Sequence, residues 1–80
     1  MAGRRDLPLA TVRRIFKEAL GEKKQEIRVS DEAIQILVSF LMDTIQKIAP
    51  IAYDIAHNAQ RKTIRKQDIE TAIKALREHL

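Results

Sequence analysis

The sequence predicts an all-α fold built as a short helix, a long central helix and a second short helix. Three observations predict it: apolar residues recur at i, i+3 and i+4 in three separate stretches, 45% of the residues are hydrophobic, and only two glycines and two prolines interrupt the chain. That composition argues against a collagen-like, disordered or turn-rich β chain. Eighty residues make one small domain, with no room for a separate catalytic module.

In the first stretch Leu9, Val12, Ile15, Phe16, Ala19 and Leu20 share a face, Pro8 suits a first turn and Gly21 supplies a stop, so helix one spans roughly 8–20. Residues 21–27 are polar and lack any period, and read as a loop ending in the extended pair Arg28-Val29. Ser30 then reads as an N-cap, with Asp31 and Glu32 in the first turn, where the helix dipole favours carboxylates.

From Asp31 to about Ala59 the set Ile34, Leu37, Val38, Leu41, Ile45, Ile48, Ala52, Ile55 and Ala59 keeps helical spacing without a break. Ile36, Phe40, Met42 and Ile51 widen the apolar arc to more than half the circumference. Pro50 removes one backbone bond and crowds the carbonyl of Gln46. The stripe nevertheless continues in phase beyond Pro50, which itself falls on the polar arc, so one long helix bent convex toward water is expected. Residues 61–64 read as a second joint with an extended Thr63-Ile64 pair. Ile69, Ala72, Ile73, Leu76 and Leu80 mark the third helix, whose last turn carries Arg77 and His79.

The chain has no cysteine, which excludes disulfides and thiolate catalysis, and its two histidines, His57 and His79, form no ligand cluster for a metal. No charge-free run approaches the ~18 apolar residues of a membrane span, and no apolar signal core follows Arg4 and Arg5, so a soluble intracellular protein is expected. Charge is segregated. Residues 1–28 carry eight Lys/Arg against four Asp/Glu, residues 29–60 one against four, and residues 61–80 six against three. Basic flanks around an acidic middle suit an anionic partner, although lysines that merely keep a small domain in solution give the same pattern.

A helix of 29 residues is about 44 Å long, whereas a compact domain of this size is roughly 30 Å across. Two short helices cannot cover so long and wide an apolar arc, so a second copy is expected to cover it. Crossing two long helices antiparallel gives a closed, twofold, head-to-tail dimer, in which the first joint of one chain lies beside the second joint of the other. Arg28 then neighbours Arg61 and Lys62 of the other copy. The pairs Arg28-Val29 and Thr63-Ile64 are placed to bridge as a minimal strand pair, directing side chains and backbone N–H groups outward, an arrangement that suits phosphate oxygens.

Together with this architecture, the segments Leu7-Pro-Leu-Ala, Arg28-Val-Ser-Asp-Glu-Ala33 and Arg61-Lys-Thr-Ile-Arg-Lys-Gln-Asp-Ile69 closely resemble the histone fold, specifically the small archaeal histones. The CCAAT-binding type of helical transcription factor shares the opening and the Arg-Lys-Thr-Ile joint. The resemblance covers residues 7–80 and leaves 1–6 as a short basic N-terminal extension. It implies an intertwined dimer that wraps, bends or compacts double-stranded DNA through the phosphate backbone and the minor groove. It also implies a cytoplasmic, chromosome-associated place in the nucleoid, and no cofactor, metal, small-molecule substrate or membrane. By the same resemblance Arg14 and Arg28 are the DNA-facing arginines, with Lys17 beside them, and Lys62 and Thr63 are phosphate contacts. Arg61 pairs with Asp68 inside the chain, a structural role that outweighs its place among the DNA contacts. Ile55, Asn58 and Asp68 mark a contact between dimers, with an amide at Asn58 where the family carries a histidine. No element resembles a recognition helix, so any sequence preference is expected to arise from the bendability of the duplex.

Three other readings compete. An enzyme would rest on Ser30, His57 and scattered Asp residues, but no phosphate loop, nucleophile elbow or paired carboxylates support it, and no catalytic residue is assigned. A histone-fold interaction module, pairing with a different chain or closing as a tetramer, would touch DNA only incidentally. A membrane-surface helix is disfavoured by the width of the apolar arc and by the acidic polar face.

Overall fold

The computed structural model describes residues 8–79, so the expected extension at 1–6 and the terminal Leu80 lie outside the described residues. Three α-helices occur in the expected order, α1 (Leu9–Leu20), α2 (Asp31–Asn58) and α3 (Lys66–Glu78), with no strand among the described residues. The chain divides into two compact units, residues 1–42 and 43–80, and α2 runs from one into the other.

In the first unit, α1 begins after Pro8, whose carbonyl accepts the N–H of Val12 at 3.2 Å. It ends where Gly21 takes φ 63°, a left-handed value that costs glycine little. The expected loop proves to be partly helical: Gly21–Gln25 forms a 3-10 turn. Such a turn is held by local i→i+3 bonds and needs no buried stripe, so hydrophobic periodicity gives no warning of it. Residues 27–30 then run without regular structure. Ser30 caps α2, its Oγ accepting the N–H of Ala33 at 3.1 Å. Val12 of α1 packs with Ile34 and Val38 of α2, surrounded by half-buried Val29, Leu37, Leu41 and Met42.

In the second unit the buried positions are Ala52, Ala56, Ala72 and Asp68, so its interior is small in volume and contains one carboxylate. Pro50 sits inside α2 without ending it. Both Pro50 and Gln46, whose carbonyl loses its bond to residue 50, are exposed, so water can take the freed acceptor. α2 closes at Asn58, one residue earlier than the spacing predicts.

The wide apolar arc of α2 is only partly covered. Ile36, Phe40, Ile45 and Tyr53 are more than half exposed, and only 11% of the helix's most apolar 18-residue stretch is buried. By length and composition α2 is apolar enough to cross a membrane, although no single charge-free run in it is that long, and Asp43, Lys47 and Asp54 interrupt it. Ile45 is the informative residue. It lies in phase with the buried Ile34, Val38, Ala52 and Ala56, yet is 57% exposed.

Candidate functional site

The second joint is built from the end of α2. Gln60 takes φ 61°, the only positive value at a residue other than glycine among the described residues. Its N–H donates to the carbonyl of His57 at 2.8 Å, and the N–H of Arg61 donates to the carbonyl of Ala56 at 2.9 Å. These crossed bonds form a Schellman closure, which satisfies carbonyls that the helix end would otherwise leave open and fixes the exit of the chain.

That exit places Arg61 opposite Asp68 in the first turn of α3. The guanidinium donates two parallel bonds to the carboxylate, Nη1 to Oδ2 and Nη2 to Oδ1, both 2.7 Å, and Nη1 also reaches the carbonyl of Thr63 at 3.2 Å. The backbone N–H of Arg65 donates to the same Oδ2 at 2.8 Å. Asp68 therefore performs the acidic half of a capping box; the reciprocal half is not made, because a guanidinium has no lone pair to accept with. Asp68 is 1% exposed. The Arg61 bond first, and the Arg65 N–H second, hold its carboxyl down at about 2, and the same pairing pushes Arg61 up. With Arg61 turned inward, Lys62 and Thr63 stand exposed on the outside of the joint. Asn58, Arg61 and Lys62 meet around one shallow hollow with His57 and Gln60. The His57 ring stacks on Tyr53, with centroids 5.3 Å apart and planes 14° from parallel.

The first joint uses the same device from the other direction. Arg13, on the edge of the apolar stripe of α1, donates Nη1 to the carbonyl of Val29 at 2.6 Å and Nη2 to the carboxylate of Asp31 in the first turn of α2. A carbonyl of the joint and an aspartate of the next helix are thus held by one guanidinium in each joint. Arg28 stands exposed beside this brace. Arg14 and Lys17 do come together, around a separate hollow on α1 that Lys24 of the 3-10 turn also lines. Arg14 makes a loose, exposed ion pair with Glu18 at 3.4 Å.

The expected contact residues therefore fall into two groups, Arg14 and Lys17 on α1 with Arg28 in the first joint, and Arg61, Lys62 and Thr63 in the second. Ile55 is half-buried and Asn58 exposed, whereas Asp68 is already occupied by three internal bonds. Sequence reasoning missed Arg13, Lys24 and Gln60. The available signal for Arg13 was an arginine bordering a buried stripe combined with an aspartate opening the next helix; Gln60 carried none. Among the described residues no group of three or more His, Asp or Glu side chains converges to hold a metal ion. The arrangement offers exposed cations, Arg28 and Lys62, on joints braced from within, which suit an extended polyanion.

Comparison with known proteins bears on the chain as a whole. Residues 5–73 match the family described as histone-like transcription factor (CBF/NF-Y) and archaeal histone. One of the subunits of the archaeal histone HAN1 of Thermococcus zilligii is 31% identical over 70 residues, covering 88% of this chain and 97% of that protein. The DNA-binding protein HmvA of Methanococcus voltae is 38% identical over 64 residues, covering 80% of this chain and 60% of its own length. The human histone H2B type F-M is 33% identical over 61 residues, 76% of this chain but 40% of that longer protein.

Proposed function

We propose that this chain, which belongs to the family of histone-like transcription factors (CBF/NF-Y) and archaeal histones, is a histone-like chromatin protein that binds double-stranded DNA as a dimer with little reading of base sequence. The observation that carries the reading is the second joint. Arg61 spends its guanidinium on Asp68 and Thr63, and so presents Lys62, Thr63 and the joint backbone outward in a fixed shape. Phosphate oxygens accept from such groups without regard to the bases between them.

The partner copy is supplied by the bare face of α2. Ile36, Phe40, Ile45 and Tyr53 leave more apolar surface along one helix than a chain this small can hide by itself. An antiparallel crossing of two copies covers the Ile45 side of that helix, in phase with its buried stripe, and adds Arg28 of one protomer to Lys62 and Thr63 of the other. Arg14 and Lys17 extend the same cationic ridge, and Arg61 contributes by holding the joint in shape. Ile55 and Asn58 then serve a junction between dimers. The role is structural rather than enzymatic, and its place is the chromosome, in the nucleoid of a cytoplasm. A second reading, a heterodimeric or tetrameric interaction module, is favoured by the transcription-factor half of the family description.

Titration of two unrelated duplexes at about 50 and 200 mM salt, with the complexes weighed by sedimentation, separates the two. A histone-like binder engages both duplexes alike and loses roughly 10³-fold in affinity over that range if about six phosphates are neutralised. A flat salt response refutes the DNA reading.

A further inference from the structure

The hollow beside α1 carries a feature that the joints do not explain. It has a volume of about 730 Å³, and beside the apolar Leu9, Ala10 and Ile34 its lining holds four cations, Arg13, Arg14, Lys17 and Lys24, against two carboxylates, Glu18 and Asp31. The carboxylates are already engaged, Asp31 by Arg13 and Glu18 by Arg14. Arg13 is committed as well, since its second nitrogen holds the carbonyl of Val29. Lys17 and Lys24 remain, with no ion pair to any described residue. Lys24 reaches the hollow because Gly21–Gln25 coils as a 3-10 turn instead of running out as an extended loop.

We infer that this hollow is a further phosphate-binding position for the DNA backbone, in which Lys24 of the 3-10 turn and Lys17 of α1 hold one phosphate group between them. The inference rests on the DNA-binding reading and deepens it. Two ammonium groups without carboxylate partners, lining a concavity whose other charges cancel, leave a local excess of positive charge that draws in a phosphodiester. Lysine suits the position, because a point charge on a flexible stem follows a phosphate without demanding a fixed angle.

The test compares the full chain with Lys24→Gln, Lys17→Gln and the double variant on one mixed-sequence duplex, reading affinity at several salt concentrations between about 50 and 200 mM. Lys24→Arg tests charge retention, and Lys47→Gln serves as an exposed lysine outside the hollow. Loss of one phosphate contact lowers the slope of log affinity against log salt by about 0.9 for each protomer in the complex. Lys24→Gln and Lys17→Gln each lower it, the double variant lowers it no further than the stronger single, Lys24→Arg restores it and Lys47→Gln leaves it unchanged. Circular dichroism and thermal melting show all five variants folded. A Lys24→Gln slope parallel to that of the unsubstituted chain overturns the inference, as does an equal fall for Lys47→Gln. If the unsubstituted chain itself binds no duplex, the DNA reading falls, and this position with it.

Discussion

Truncating Ile45 to alanine separates a chain that lives alone from one that pairs. In the single chain Ile45 is 57% exposed, so Ile45→Ala removes mostly solvated surface and changes stability by no more than about 0.5 kcal/mol. In a dimer built on α2 the same side chain becomes fully covered. Burial of an isoleucine is worth about 1.5–3 kcal/mol, and the part still exposed here accounts for about 1–2 kcal/mol per copy. A twofold dimer loses that amount twice, about 2–4 kcal/mol, which weakens dimerisation roughly 30- to 1000-fold. Sedimentation equilibrium across a range of protein concentrations measures the constant directly. Urea melts at two concentrations tenfold apart give a second reading, since only a dimer has a concentration-dependent midpoint. A shift in the dimer constant of less than about threefold, or a monomer for both chains, refutes the reasoning that the bare stripe exists to be covered by a second copy.

Two further outcomes follow from the second joint. Gln60→Gly relieves a left-handed conformation that disfavours any side chain, and raises stability by about 1 kcal/mol, read as a higher midpoint in chemical denaturation. The carboxyl of Asp68 lies at about 2 in the folded chain, below its ordinary 3.8. Its stabilising contribution is therefore complete above about pH 4 and disappears as pH falls through 2. Acid unfolding followed by circular dichroism should show a loss of stability between those values that Asp68→Asn flattens, while the variant is less stable at neutral pH.

The helices were legible because each rests on a signal that burial imposes locally. Leu9, Val12 and Phe16 announce α1, the long stripe from Ile34 announces α2, and Ser30 and Gly21 mark boundaries with groups whose only local competitor is the backbone. Pro50 was readable because the stripe keeps its phase across it. The 3-10 turn was not, since its bonds are local and its residues polar. Nor was the conformation of Gln60: glutamine has no preference for a left-handed backbone, and the closure of α2 selects it there. The Arg61–Asp68 partnership came from resemblance, and the geometry adds what resemblance did not carry, namely that Asp68 also accepts the Arg65 N–H. Arg13 is the clearest gap. Two adjacent arginines, Arg13 and Arg14, differ in sequence only by their place on the helix, Arg13 bordering the buried stripe, and the fold shows that this one braces a joint while the other stays on the surface.

The paired braces have an effect on how a long polyanion is met. Each joint has given up its wandering during folding, held by a guanidinium that grips a carbonyl and an aspartate at once, so a strand settling against it need not tame a floppy segment first. Arg13 and Arg61 act as internal rivets, and the exposed Arg28 and Lys62 as the loose outer fingers. On the proposed reading, such a surface takes hold of whatever sequence passes and adapts mainly through the bending of the duplex itself, so its grip varies along a chromosome with local stiffness.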